Sequence, residues 1–115
     1  MTIYDDLKRI SEIEFAELVD FAEIRDYKLR IYFKDQSFAD IWFSRKIKGR
    51  FSYHWEKGSE VFRHDNMPHP QWKKVSTFPK HFHNGDQDNV VESRLSDDPV
   101  KALREFLVFL KEKIK

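Results

Sequence analysis

Two short segments concentrate the groups that can move protons or hold phosphate. All five histidines of the 115-residue chain lie between His54 and His83. Arg63-His64-Asp65-Asn66-Met67-Pro68-His69-Pro70 packs a cation, a carboxylate, an amide and two imidazoles into eight positions. Phe78-Pro79-Lys80-His81-Phe82-His83 adds two more imidazoles. Arg63 suits paired hydrogen bonds to a phosphate or a carboxylate, and Asp65 can hold a neighbouring imidazole in one tautomer. The structural alternative is an Asx-type turn at Asp65-Asn66, fixed by an Arg63–Asp65 pair. If the second segment is extended, His81 and His83 point the same way, since side chains two apart share one face of a strand. The alternative there is an exposed loop with two surface histidines.

Cleavage of RNA is the concrete chemistry these residue types allow. Attack of a 2′-hydroxyl on the adjacent phosphate needs a base, an acid and a cation beside the developing charge, and positioned acid-base groups each contribute about 10² to 10⁴ in rate. Arg63, Asp65, His69, His81 and His83 are the expected catalytic groups. Tyr53, His54, Asn66, Trp72 and Lys80 are the expected binding groups, with Tyr53 and His54 on the strand paired with Arg63 and Trp72 able to stack a base. Each aromatic has a competing role in the core. Paired imidazoles also suit a transition metal, with His69 or Asp65 as a third ligand. No second spaced motif such as a helical His-Glu-x-x-His accompanies them, so neither metal nor cofactor is expected.

The elements that must position these groups follow from hydrophobic periodicity. Ile3, Leu7 and Ile10 recur at helical spacing and predict a helix over residues 2 to 14. A strand is expected from about Val19 to Arg25. Leu29, Ile31 and Phe33, then Ala39, Ile41 and Phe43, alternate with other residues around the polar turn Lys34-Asp35-Gln36-Ser37, which predicts a hairpin over 28 to 44. A basic connector, Arg45 to Gly49, leads to Phe51, Tyr53 and Trp55, and Lys57-Gly58-Ser59 turns the chain into Val61-Phe62-Arg63-His64 as a second hairpin. Pro68, Pro70 and Pro79 predict an irregular segment from 65 to 89, long enough to be functional. Val100, Leu103, Leu107, Leu110 and Ile114 trace one face of a terminal helix, widened by Ala102, Phe106 and Phe109, with Asp98 as N-cap and Pro99 at its first position. The expected fold is a single α+β domain over residues 1 to 115. An antiparallel sheet of four to five strands carries an N-terminal helix and a C-terminal amphipathic helix packed on it.

Composition narrows the function classes. Twenty-one Lys and Arg against 20 Asp and Glu leave a net charge of +1, unlike a dedicated nucleic-acid binder. Between Glu56 and His83, however, five cations meet three anions, which leaves room for local RNA contact. The absence of cysteine excludes disulfides, zinc ribbons and thiol catalysis. Met1-Thr2-Ile3-Tyr4-Asp5-Asp6 reads as neither a signal peptide nor a membrane span, so a cytoplasmic protein without a membrane partner is expected. An edge strand could pair between chains, which leaves a homodimer open.

Tyr53-His54-Trp55, Arg63-His64-Asp65-Asn66-Met67-Pro68-His69 and Phe78-Pro79-Lys80-His81-Phe82-His83, followed by an amphipathic helix, resemble the TumE family of toxin-antitoxin proteins. That family's pattern has Arg-Tyr-Asp-Asn, then Pro-His-His, then Pro-His-His-x-His. Arg63, Asp65, Asn66, His69, His81 and His83 match it. His64 stands where Tyr is usual, and Pro70 and Lys80 each replace a His. The resemblance implies a toxin neutralised by a cognate antitoxin that often carries a DNA-binding domain. The competing expectation is a non-enzymatic module that docks a protein or nucleic acid.

Overall fold

The computed structural model describes residues 2–114, which form two compact units. The first comprises the chain up to Phe38 and from Leu95 onward. Helix α1 spans Ile3–Glu14, and the Asp5 carboxylate accepts the Thr2 backbone N–H at 2.7 Å, satisfying a donor that the helix start leaves open. Its Leu7 and Ile10 are buried against strands β1 (Val19–Arg25) and β2 (Lys28–Phe33). Asp26 and Tyr27 turn the chain between these strands with φ of 51° and 63°, the left-handed pair that a tight hairpin requires. Leu29, Ile31 and Phe33 are buried at every second position of β2, as period two demands.

Helix α2 spans Pro99–Lys113, within the expected limits, and the Asp98 carboxylate accepts the Lys101 N–H at 3.0 Å. Ala102, Leu103, Phe106, Leu107 and Leu110 are its buried stripe. Arg104 on its outer face makes a forked pair with Glu14 of α1, at 2.9 and 2.7 Å. No helix among the described residues is long and apolar enough to cross a membrane.

The second unit runs from Ala39 to Arg94. It holds most of β3 (Phe38–Phe43), together with β4 (Phe51–Lys57), β5 (Glu60–Asp65), β6 (His81–Gly85) and β7 (Val90–Glu92). The seven strands follow one another in sheet order β1 to β7. This corrects the four to five strands expected. The segment from 65 to 89 is not irregular throughout, because its three prolines all precede His81 and leave β6 free to pair with β5. Strand β7 is three residues long, too short for alternation to reveal it.

Register divides the second unit's side chains between two faces. Tyr53 pairs with His64 and His64 with Phe82, while Trp55 pairs with Phe62. These residues are buried, with Trp55 stacked on Phe62 at 5.4 Å and His64 on Phe82 at 4.1 Å between ring centroids. One residue along, every side chain turns to the opposite face. There His54 stands opposite Arg63 and Arg63 opposite His83, and in the next row Ser52 stands opposite Asp65 and Asp65 opposite His81. The alternation that builds the aromatic core therefore also builds a polar face.

Candidate functional site

Asp65 ends β5 and is the centre of that polar face. Its carboxylate is only 4% exposed, yet it gathers four nitrogen groups. The Met67 N–H donates to Oδ1 at 2.9 Å, closing the Asx-type turn foreseen from the sequence. Arg63 Nε stands 2.8 Å from Oδ2, within ion-pair range but off the line of its N–H. His81 Nε2 lies 3.3 Å from Oδ1 and His83 Nε2 lies 3.9 Å from Oδ2.

Both imidazoles are fixed from behind by backbone. His81 Nδ1 is 2.8 Å from the carbonyl oxygen of Pro79, and His83 Nδ1 is 2.8 Å from that of Gln87. A carbonyl oxygen only accepts, so Nδ1 carries the proton in each ring. In the neutral form each Nε2 therefore bears a lone pair, and both are turned towards Asp65. Burial pushes the His83 ring below its ordinary pKa, outweighing the hydrogen bond to Gln87, which keeps it neutral and able to take a proton near pH 7.

The chain beyond Asp65 folds back over this face. A single 3-10 turn, Pro70–Trp72, brings the Trp72 ring to 6.0 Å from His81 and 5.8 Å from His83 between centroids. His81 is 0% exposed beneath it. A cleft of about 330 Å³ opens beside the cluster, lined by Arg63, Asp65, His69, Gln71, Trp72, His83, Gln87 and Asp88. Of the five expected catalytic residues, four line this cleft, and the fifth, His81, is fully buried with its ring 5.0 Å from that of His83.

The expected binding residues scatter more widely. Trp72 lines the cleft. His54 shares the polar face but is held by Glu56, with Nε2 2.9 Å from Oε1. Asn66 staples the β4 entrance, accepting the Phe51 N–H at 2.9 Å and donating to the Gly49 carbonyl at 2.7 Å. Tyr53 is 2% exposed, edge-on to Phe43 and Phe51, and so occupies a core position on the other face. Lys80 is half-buried and does not line the cleft, and its charge bears on His64. The sequence reading missed Gln71, Gln87 and Asp88. Nothing in a glutamine's side chain announces that its backbone carbonyl will set a histidine's tautomer.

His64, the position where the family pattern has Tyr, belongs to the core. Burial lowers its pKa from 6.5 to about 3, with the Lys80 charge acting in the same direction. Its Nδ1 lies 2.7 Å from Ser93 Oγ. The unfolded ring takes up a proton near pH 6.5 and the folded ring only near pH 3, so between these values the unfolded state holds more protons. Stability that is complete above pH 6.5 is thus lost as the pH falls, by up to about 1.4 kcal/mol per pH unit from this ring. His64→Phe keeps the stacking and removes the ring's titration. Urea denaturation between about pH 7 and pH 5 should show a shallower loss of stability in the variant, the part due to His83 remaining.

The two units thus define an α+β protein with a carboxylate-centred, imidazole-lined cleft on the polar face of its sheet. The family described as Toxin TumE matches residues 3–114, nearly the whole chain, and the chain belongs to that toxin family. Comparison with curated proteins and with solved structures returned no match.

Proposed function

We propose that the chain is the toxin of a toxin-antitoxin pair, restrained by a cognate antitoxin, and that it acts on RNA through the cleft beside Asp65. The observation that carries this reading is the convergence of a neutral His83, the Arg63 guanidinium, the exposed His69 and the Trp72 ring on one cleft. His83 Nε2 takes the proton of a 2′-hydroxyl as its oxygen bonds to the adjacent phosphorus. The bond from phosphorus to the 5′-oxygen breaks, and His69 returns a proton to that leaving oxygen. Arg63 faces the charge that develops on the phosphate. Asp65 holds Arg63 in place, and Trp72 offers a ring on which a base can stack.

Expression with and without the neighbouring gene tests the toxin role. Growth arrest by the chain alone, relieved by its neighbour, is expected, and equal growth in both cases would remove it. For substrate contact, Trp72→Ala is expected to weaken binding of single-stranded RNA by about 1–3 kcal/mol, roughly 5- to 150-fold, because one stacking surface is lost. Fluorescence titration reads this directly, and unchanged affinity would place the RNA elsewhere.

A further inference from the structure

We infer that Asp65, His81 and His83 form a binding site for one divalent first-row transition ion of the zinc class. Their ligand atoms, a carboxylate oxygen and two ring nitrogens, all lie within 4.8 Å of one another, and all three residues are buried. Each Nδ1 keeps its proton and donates it in a hydrogen bond to a backbone carbonyl, so the neutral rings present two Nε2 lone pairs, beside the carboxylate, to a common centre. Arg63 Nε, 2.8 Å from Oδ2, offsets the carboxylate charge, but the His81 lone pair facing Oδ1 still repels it unless a proton or a cation stands between them. His81 Nε2 is fully enclosed and has no hydrogen-bond partner of proper geometry, although it lies 3.3 Å from Asp65 Oδ1. Buried polar groups are rarely left in that state.

The distances favour a metal. Ligands held about 2.0–2.1 Å from a tetrahedral ion stand about 3.3 Å apart, and the His81–Asp65 separation is 3.3 Å. His83 Nε2 lies 3.9 Å from the other carboxylate oxygen, Oδ2, and one ligand atom from each of the three residues falls within 4.8 Å of the rest, so an ion would draw the set slightly inward. The backbone carbonyls behind the rings are the partners that metal-bound histidines require, since they fix the tautomer and strengthen the donor nitrogen. Two imidazoles and one carboxylate suit zinc, cobalt or nickel better than magnesium or calcium, which prefer oxygen. Asp65 and His83 also line the cleft, so remaining coordination positions face the space where a substrate would lie.

This site shares the cleft of the proposed function but does not depend on RNA as substrate. With an ion bound, Asp65, His81 and His83 would hold it, His83 Nε2 would no longer be free to act as the base, and the ion would supply Lewis-acid chemistry in its place. The test is therefore binding alone. Chelator-treated full-length protein is titrated with Co²⁺ at neutral pH, and then with Zn²⁺ as competitor. One equivalent is expected, with the visible absorption of cobalt in a nitrogen and oxygen field, displaced by Zn²⁺. His83→Gln is expected to weaken Co²⁺ binding at least about tenfold, and His54→Gln to leave it unchanged. Should His83→Gln fail to fold, imidazole ¹⁵N resonances of the wild-type protein carry the test. On adding Zn²⁺, the Nε2 signals of His81 and His83 should shift while both Nδ1 protons persist. No binding by the folded protein, equal binding by folded His83→Gln, or unshifted Nε2 signals would overturn the site. Its loss would leave His83 as the base in the proposed reaction, whereas intact RNA would leave the metal site standing.

Discussion

Asp65→Ala is expected to destabilise the protein by about 3 kcal/mol and to abolish toxicity. The carboxylate is buried and is the acceptor around which Arg63, His81, His83 and the Met67 N–H are arranged. Removing one partner of a buried charged cluster leaves the others desolvated without compensation, which typically costs about 3–5 kcal/mol. The Arg63 side chain keeps 35% of its exposure and can turn to water, so the lower end applies. Asp65→Asn should lose less, because its amide oxygen can still accept the Met67 N–H. Urea denaturation orders the two variants. Equal stability of Asp65→Ala and wild type would mean that the cluster is held by something other than this carboxylate.

The second large effect falls on activity. His83→Ala is expected to lower RNA turnover by about 10² to 10⁴, the range for a positioned acid-base group. Its cost in stability should be small beside that, since the ring reaches the cleft and its main fixed bond is to the Gln87 carbonyl. His83→Ala therefore separates chemistry from folding, which Asp65→Ala cannot. A folded His83→Ala protein with wild-type turnover would exclude the ring from the reaction.

The fold was legible wherever burial imposed a period. Helix α2 could be read from its stripe, its Asp98 cap and Pro99, and β2 from strict alternation. Strand β6 was hidden because its alternation puts Phe82 between two histidines, a polar-apolar-polar pattern like that of a surface loop. Only the register with β5 shows that Phe82 faces the core and the histidines face a covered polar surface. The same parity could have separated the expected site residues in advance. Arg63 and Asp65 are two apart and share a face, whereas His64 between them points the other way. His64 also departs from the family pattern, standing where Tyr is usual, and this parity is the physical reason for its place in the core. Asn66 is expected as a binding group from the family pattern and Tyr53 from its strand's pairing with Arg63; the structure places Asn66 at the β4 entrance and Tyr53 in the aromatic core. Trp72 and the backbone carbonyls behind His81 and His83 depend on how the segment after Asp65 folds back, which no local pattern encodes.

The central claim, that this toxin-family chain acts on RNA at the Asp65 cleft, is tested most directly by incubating purified protein with defined single-stranded RNA and analysing the ends produced. The account predicts 2′,3′-cyclic phosphate and 5′-hydroxyl ends from the wild-type protein, and turnover reduced by about 10² or more in folded His83→Ala. RNA left intact by protein that arrests growth, or equal cleavage by His83→Ala, would contradict it.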